Sequence, residues 1–310
     1  MNNDIPGDTE ELTSSFFVYE DDKEERLDKV LFNRFPHFSR TYFQWLIKEG
    51  FVLINAKAAK KSTKVQKSDE IDVNFVLTEE LELEPENIPL DIIYEDETML
   101  AINKPSGMVV HPAPGNWTGT FVNALLYHCK TLERHDILRP GIVHRLDKET
   151  TGVLLAAKTE SMHRKLVELF ATRQIRKIYY AICIGKPAVD FLIDAPIGRS
   201  QKDRKLMEVT ARGRVARTRF RVKKTNGVLS LLEVELETGR THQIRVHLKH
   251  AGFPLFGDAK YGSLHVGSKW HAKRPMLHAK TLQFLHPTAS KLLIIEAPIP
   301  QDMQTIIDML

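Results

Sequence analysis

Apolar positions fall at helical spacing twice early in the chain, then give way to two-residue alternation. In ERLDKVLFNRF, Leu27, Val30, Leu31 and Phe35 share one helical face. Ser39 then stands as N-cap of a second helix, RTYFQWLIKEG, closed by Gly50. FVLINAKAAKKSTKV predicts a strand, a turn and a lysine-bearing loop, and DEIDVNFV another strand. Residues 24–77 therefore read as a minidomain of two helices and a small sheet. Residues 1–23 ahead of it are acidic and polar, expected as a mostly disordered leader. Phe16, Phe17, Val18 and Tyr19 are the exception and fit a short strand. The acidic, proline-containing stretch 78–89 predicts a linker.

From Leu90 onward strand signals dominate, and residues 90–310 read as one larger domain. LDIIYEDETMLAINKP holds two apolar runs around an acidic turn, and Thr118–His128 predicts a short helix. GVLLAAKT is a buried strand; TESMHRKLVELFATR is an amphipathic helix with Met162, Leu166, Leu169 and Phe170 inward. IRKIYYAICIG alternates as a strand. ARTRFRVKKTNGVLSLLEVELETG is a hairpin turning at Asn226-Gly227, with Thr218, Phe220 and Val222 alternating with Arg217, Arg219 and Arg221. GRTHQIRVHLKHAG predicts a helix ended by Gly252, followed by two closing strands and a helix over 300–310. Hairpin-linked strands that outnumber helices imply an α+β fold around a largely antiparallel sheet.

Charge changes this picture more than composition does. The chain's 42% hydrophobic and 27% charged residues are ordinary for a globular protein. No apolar run approaches the ~20 residues of a membrane span. The start lacks a basic n-region and an apolar h-region, so no signal peptide and a cytoplasmic protein are expected. The net charge of +4 is segregated: residues 1–23 hold seven acids against Lys23, and residues 79–97 hold nine acids with no Lys or Arg. Arg199–Lys224 concentrates eleven Lys/Arg against Asp203 and Glu208. A field of that sign attracts polyanions, although a merely solvated basic face has the same composition.

Phosphate-binding glycine loops, dinucleotide fingerprints and zinc spacings are not found. The thirteen histidines are scattered and the two cysteines stand apart, so neither a metal nor a disulfide framework is expected. GIVHRLDKETTG differs: its charged cluster places Asp147 on a tight loop before the strand Val153–Ala157. Taken alone, Asp147 could be a turn residue bonded to its own backbone. A second segment, LETGRTHQIRVHLKHAGFPLFGDAKYG, gathers Arg240, His242, Gln243, Arg245 and His247.

Two resemblances follow from these residues. RLDKVL, the Ser39-Arg40 helix start, IKEGFVLINAK and KSDEIDV resemble the S4-type RNA-binding domain. YEDETMLAINKPSGMVVHPAPGN, HRLDKETTGVLLAAK, RKIYYAICIG and TGRTHQIRVHLKHAGFPLFGDAKYG resemble the pseudouridine synthases of the Rlu type (the RluA/RluD branch). Thr151-Gly152 stands where that family commonly has Ser-Gly. The resemblance implies isomerisation of RNA uridine to pseudouridine without cofactor or metal. It places the catalytic aspartate at Asp147, the active-site tyrosine at Tyr179 rather than Tyr180, and the arginine facing the aspartate at Arg245. Asp147 would act as a nucleophile on the ribose or base, or assist a glycal-type intermediate. Arg145 would fill the space a flipped base leaves, and Leu146 would be core. RNA contacts are expected from His144, Lys104, Arg199, Arg204, Arg240 and His242, and from Arg26, Arg40, Lys57 and Lys60 of the small domain. The expected partner is large-subunit ribosomal RNA, with transfer RNA the alternative, and the protein is expected as a monomer. A non-catalytic assembly factor would not need Asp147, Tyr179 and Arg245 together. A glycosidase would want a carboxylate pair, for which Glu149 is the nearest second acid.

Overall fold

The computed structural model describes residues 12–35, 38, 40–60, 62–75, 83–111, 118–132, 140–201, 203, 206–266 and 270–310. The chain divides into two compact units, one of residues 1–84 and 134–140, the other of residues 85–133 and 141–310.

The first unit contains β1 (Leu12–Phe17), α1 (Leu27–Arg34), α2 (Arg40–Lys48), β2 (Val52–Ile54), β3 (Lys57–Ala58) and β4 (Glu70–Phe75). Its sheet runs β1-β4-β2-β3, antiparallel throughout. The helical faces bury Leu27, Val30, Leu31, Phe43 and Leu46 against Ile71 and Val73 of β4. The short strand expected near Phe16 starts earlier, at Leu12, and pairs with β4 over its whole length, from Leu12↔Phe75 to Phe17↔Glu70. Part of the acidic leader is thus structural. Its backbone satisfies β4, and Phe16 and Val18 are buried in the core. Ser39 lies outside the described residues, as do residues 1–11 and 78–82.

The second unit begins with β5 (Ile92–Glu95), β6 (Met99–Lys104), α3 (Phe121–His128), β7 (Thr151–Ala157), α4 (Glu160–Ala171) and β8 (Arg176–Ile184). Then come β9 (Phe191–Asp194), β10 (Ile197–Arg199), β11 (Met207–Val209), β12 (Arg217–Thr225), β13 (Leu229–Leu236) and α5 (Gln243–His250). It closes with β14 (His265–Val266), β15 (Trp270–His271), β16 (Leu277–Leu285), β17 (Leu292–Glu296) and α6 (Gln301–Asp308). Nine strands form the main sheet, β5-β6-β7-β16-β8-β13-β12-β9, with β17 on β16. Every pairing is antiparallel except β7 with β16.

That parallel seam is only two residue pairs long, Thr151↔His278 and Gly152↔Ala279. Gly152 is required there: its φ is +108°, and a Cβ would lie 2.2 Å from the Ala279 carbonyl oxygen. The helix expected over Thr118–His128 starts at Phe121. Thr120 caps it, accepting from the Asn123 N–H while Asn123 accepts from the Thr120 N–H. In α4, Met162 and Leu166 are buried and Leu169 and Phe170 partly so, as the spacing predicts.

Candidate active site

The loop entering β7 is pinned from below. Lys104 donates to the carbonyls of Pro105, Met108 and Lys148 at 2.8, 3.0 and 3.0 Å, and the Gly107 N–H also reaches Lys148 O at 3.0 Å. Lys104 has zero exposure, so the expected RNA contact is corrected to a buried brace. Burial pulls its pKa down to about 8, against the pull of Glu149 and Asp147. Leu146 is buried as expected, which turns Asp147 outward at 21% side-chain exposure.

Helix α5 brings the partner. Arg245 donates from Nη1 to Asp147 Oδ2 at 3.0 Å. Its Nε and Nη2 hold Asp258 in a fork at 2.6 and 2.9 Å. Asp258 has zero exposure and also accepts from the N–H groups of Lys260 and Tyr261. Burial opposes the Arg245 charge, but Asp258 and then Asp147 hold the guanidinium's pKa above its ordinary value. Burial likewise pushes Asp258 up, and its hydrogen bond and ion pair with Arg245 more than reverse it. The helix is seated by a buried chain. Gln243 donates to Arg217 O and Thr218 Oγ1 at 3.0 and 2.9 Å, and Thr218 Oγ1 lies 2.8 Å from His247 Nδ1.

Tyr179 and His242 complete the wall. On β8, Tyr179 lines the Asp147 pocket, whereas Tyr180 packs with the Ile182 and Met276 cluster of the other face. Burial, then the charge of Asp147, raises the Tyr179 pKa, so the group is a phenol. His242 takes a left-handed φ of 56° before α5. Tyr261 Oη accepts from the Met207 N–H at 2.8 Å and lies 2.8 Å from His242 Nδ1. On the other side of the ring, His242 Nε2 faces Asp147 Oδ2 at 3.9 Å. Burial lowers the His242 pKa, against the pull of Asp147, and favours the neutral ring. The pocket has a volume of about 120 Å³; Arg145 and Arg240 also line it. Arg145 is exposed and has no carboxylate partner among the described residues. Glu149 is not in this wall: Ser106 Oγ donates to it at 2.7 Å.

Other expected RNA contacts are placed differently. His144 Nε2 accepts the Leu155 N–H at 2.9 Å and its ring stacks on Phe170. Burial, then Lys177, pulls its pKa down to about 3, so it is a neutral structural ring rather than a phosphate ligand. The arginine-rich hairpin is largely neutralised by its own partner strand. Arg217 and Arg219 meet Glu237 at 3.3 and 3.7 Å, and Arg221 and Lys223 meet Glu233 at 3.1 and 3.7 Å. Arg199 is exposed on β10, and Arg204 lies outside the described residues. In the first unit Arg26 and Arg40 converge on buried Asp28, while Lys57 and Lys60 are exposed. Away from the pocket, Glu95, His128 and Cys129 bring ligand atoms within 4.8 Å, but the Lys158 ammonium already holds Glu95 at 3.0 Å.

Asp258 and Tyr261 are the residues sequence reasoning missed. Both stand in the FGDAKYG segment that carried the resemblance, so the signal was present without a role attached.

Comparison with known proteins identifies the family of the chain. Residues 98–250 match the family described as RNA pseudouridylate synthase, and residues 25–71 match the S4 domain. The chain is 44% identical over 291 residues to an uncharacterized RNA pseudouridine synthase, YlyB, of Bacillus subtilis (strain 168), covering 93% of this chain and 95% of that one. It is 42% identical over 295 residues to the ribosomal large subunit pseudouridine synthase D of Neisseria meningitidis serogroup A, covering 92% and 78%. Among solved structures, the human RNA pseudouridylate synthase domain containing 4 protein matches at a TM-score of 0.54 and 31% identity, over 69% of this chain and 90% of that one.

Proposed function

The chain belongs to the RNA pseudouridine synthase family, isomerases that act on uridine in RNA, and from that premise we propose that it modifies large-subunit ribosomal RNA with Asp147 as the reacting acid. The observation that carries this reading is the Asp147 carboxylate, partly exposed to a pocket and bound to a guanidinium that is itself buried. The ribosomal assignment rests on the named relative, whose match extends through the S4-like unit.

The reaction balances without a cofactor. The N1–C1′ bond of uridine breaks, a C5–C1′ bond forms, the C5 proton leaves and N1 gains one. Attack by Asp147 on the sugar or base, and assistance to a glycal-type intermediate, both start from this carboxylate. Tyr179 offers a face for the loose uracil and an O–H. His242 offers a ring nitrogen to the substrate. Extruding the base costs roughly a few kcal/mol, and Arg145 stands at the rim to fill the gap. All these groups come from one chain, so the reading takes a monomer. A ribosomal substrate implies the cytoplasm. No helix among the described residues is long and apolar enough to cross a membrane.

The test is tritium release from RNA labelled at uridine C5, with ribosomal and transfer RNA offered separately and no metal added. Wild type should release label from large-subunit RNA, and Asp147→Asn should lose roughly 10⁴-fold or more while RNA affinity stays nearly unchanged. Equal loss of affinity and turnover would remove Asp147 from the chemistry.

A further inference from the structure

Beside the Asp147 pocket lies a second cavity of about 450 Å³ with no part in the reading so far. The two share Arg145, Tyr179, Leu236, Gly239 and Arg240, so they are continuous. The rest of the second lining includes Arg173, Lys177 and Glu237.

Lys177 is the unusual member. It is only 9% exposed, and among the described residues it has no hydrogen-bond or ion-pair partner. Lys104 shows how this fold satisfies a buried ammonium, with three carbonyls; Lys177 has none. Its neighbours make matters worse. Burial, then Arg173, holds the Lys177 pKa below its ordinary value, and burial, then Arg214 and Arg173, does the same for Arg240. Arg173 itself sits at a left-handed φ of 61°, unusual for a residue with a side chain. The carboxylate in the lining, Glu237, is taken by Arg217 at 3.3 Å and Arg219 at 3.7 Å. The nearby His144 ring is neutral. Mutually repelling cations in a half-enclosed space, without a counter-ion, are unfavourable in the free protein and favourable once an anion enters.

We propose that this cavity is a phosphate subsite: Lys177 and Arg173, with Arg240 at the shared wall, receive the backbone phosphate adjoining the target uridine. The spacing suits one nucleotide. Lys177 and Tyr179 lie on one face of β8, about 7 Å apart along the strand. A base against Tyr179 therefore leaves its own phosphate within reach of Lys177. The inference rests on the RNA-isomerase reading and adds the register in which the RNA lies.

Lys177→Met and Arg173→Gln test it, with the full chain and large-subunit ribosomal RNA fragments. Freed of an unpaired buried charge, Lys177→Met should melt about 2–4 °C higher. The slope of log affinity against log salt should fall by about 0.7–0.9 in each variant, the share of a single phosphate. KM should rise with kcat little changed. A structural lysine would do the reverse, lowering the melting temperature and leaving the slope alone. Should Lys177→Met not fold, the slope of Arg173→Gln decides by itself. An unchanged slope overturns the subsite, while tritium release by wild type still upholds the isomerase. Absent release with a reduced slope leaves an anion site in a protein whose proposed chemistry has failed.

Discussion

Two clusters in this chain use the same parts in opposite proportion. In the first unit one buried carboxylate, Asp28, accepts from two guanidiniums: Arg26 at 3.0 Å and Arg40 at 3.0 Å. In the second, one buried guanidinium, Arg245, donates to two carboxylates, Asp258 and Asp147. Each cluster hides its odd member and leaves a surplus charge facing outward. Around Asp28 the surplus is positive, on arginines with 45% side-chain exposure. Around Arg245 it is negative, on Asp147 at 21%. A buried ion thus serves as a clamp, and the ratio of partners decides which sign is offered. One cluster presents cations suited to a polyanion; the other presents a single aimed acid.

The largest expected effect separates the clusters by what a deletion strands. Arg245→Met leaves Asp258 at zero exposure without its counter-ion, and should cost the second unit about 3–5 kcal/mol in urea unfolding. Asp28→Asn leaves two arginines that can turn into water, so the first unit should lose only about 1–3 kcal/mol. Comparable losses would mean that exposure does not govern the cost. Acid gives a smaller and sharper contrast. Burial pushes both Asp28 and Asp258 up, and their guanidinium partners bring both below the ordinary 3.8. The unfolded chain therefore takes up protons first. The stability these acids contribute is whole above the ordinary value and is withdrawn as pH falls through the folded values. Asp28→Asn and Asp258→Asn should each flatten the stability curve below about pH 5. Smallest is Tyr261→Phe, worth about 0.5–1.5 kcal/mol. Histidine ¹⁵N shifts should then show an altered tautomer balance at His242, whose Nδ1 loses its Tyr261 partner.

What the sequence made legible was local. Helix faces and the Asn226-Gly227 turn follow from period and alternation within one element, whereas the choice of Tyr179 over Tyr180 came only with the family resemblance. What it hid was pairing across elements. Lys104 looked like a surface cation because its three carbonyl partners are spread from Pro105 to Lys148. The arginines of β12 looked unopposed because their acids lie on β13, although the hairpin register sets Arg221 against Glu233 and Arg219 beside Glu235. That correction was available from the turn alone. Asp258 was not: it meets Arg245 from 13 residues away, through a fold no spacing rule describes.

The position of β16 has a consequence for when the enzyme comes into being. Asp147 precedes β7, and Arg245 follows β13, yet β7 and β8 are joined only by β16, which begins at Leu277. A growing chain therefore carries its acid for some 130 residues before the strand that completes the sheet is made. Until then each side can form hairpins with its own neighbours, but Asp147 and Arg245 stand on halves of the sheet that nothing yet joins. The order of synthesis thus makes the strand that joins the two halves one of the last to emerge.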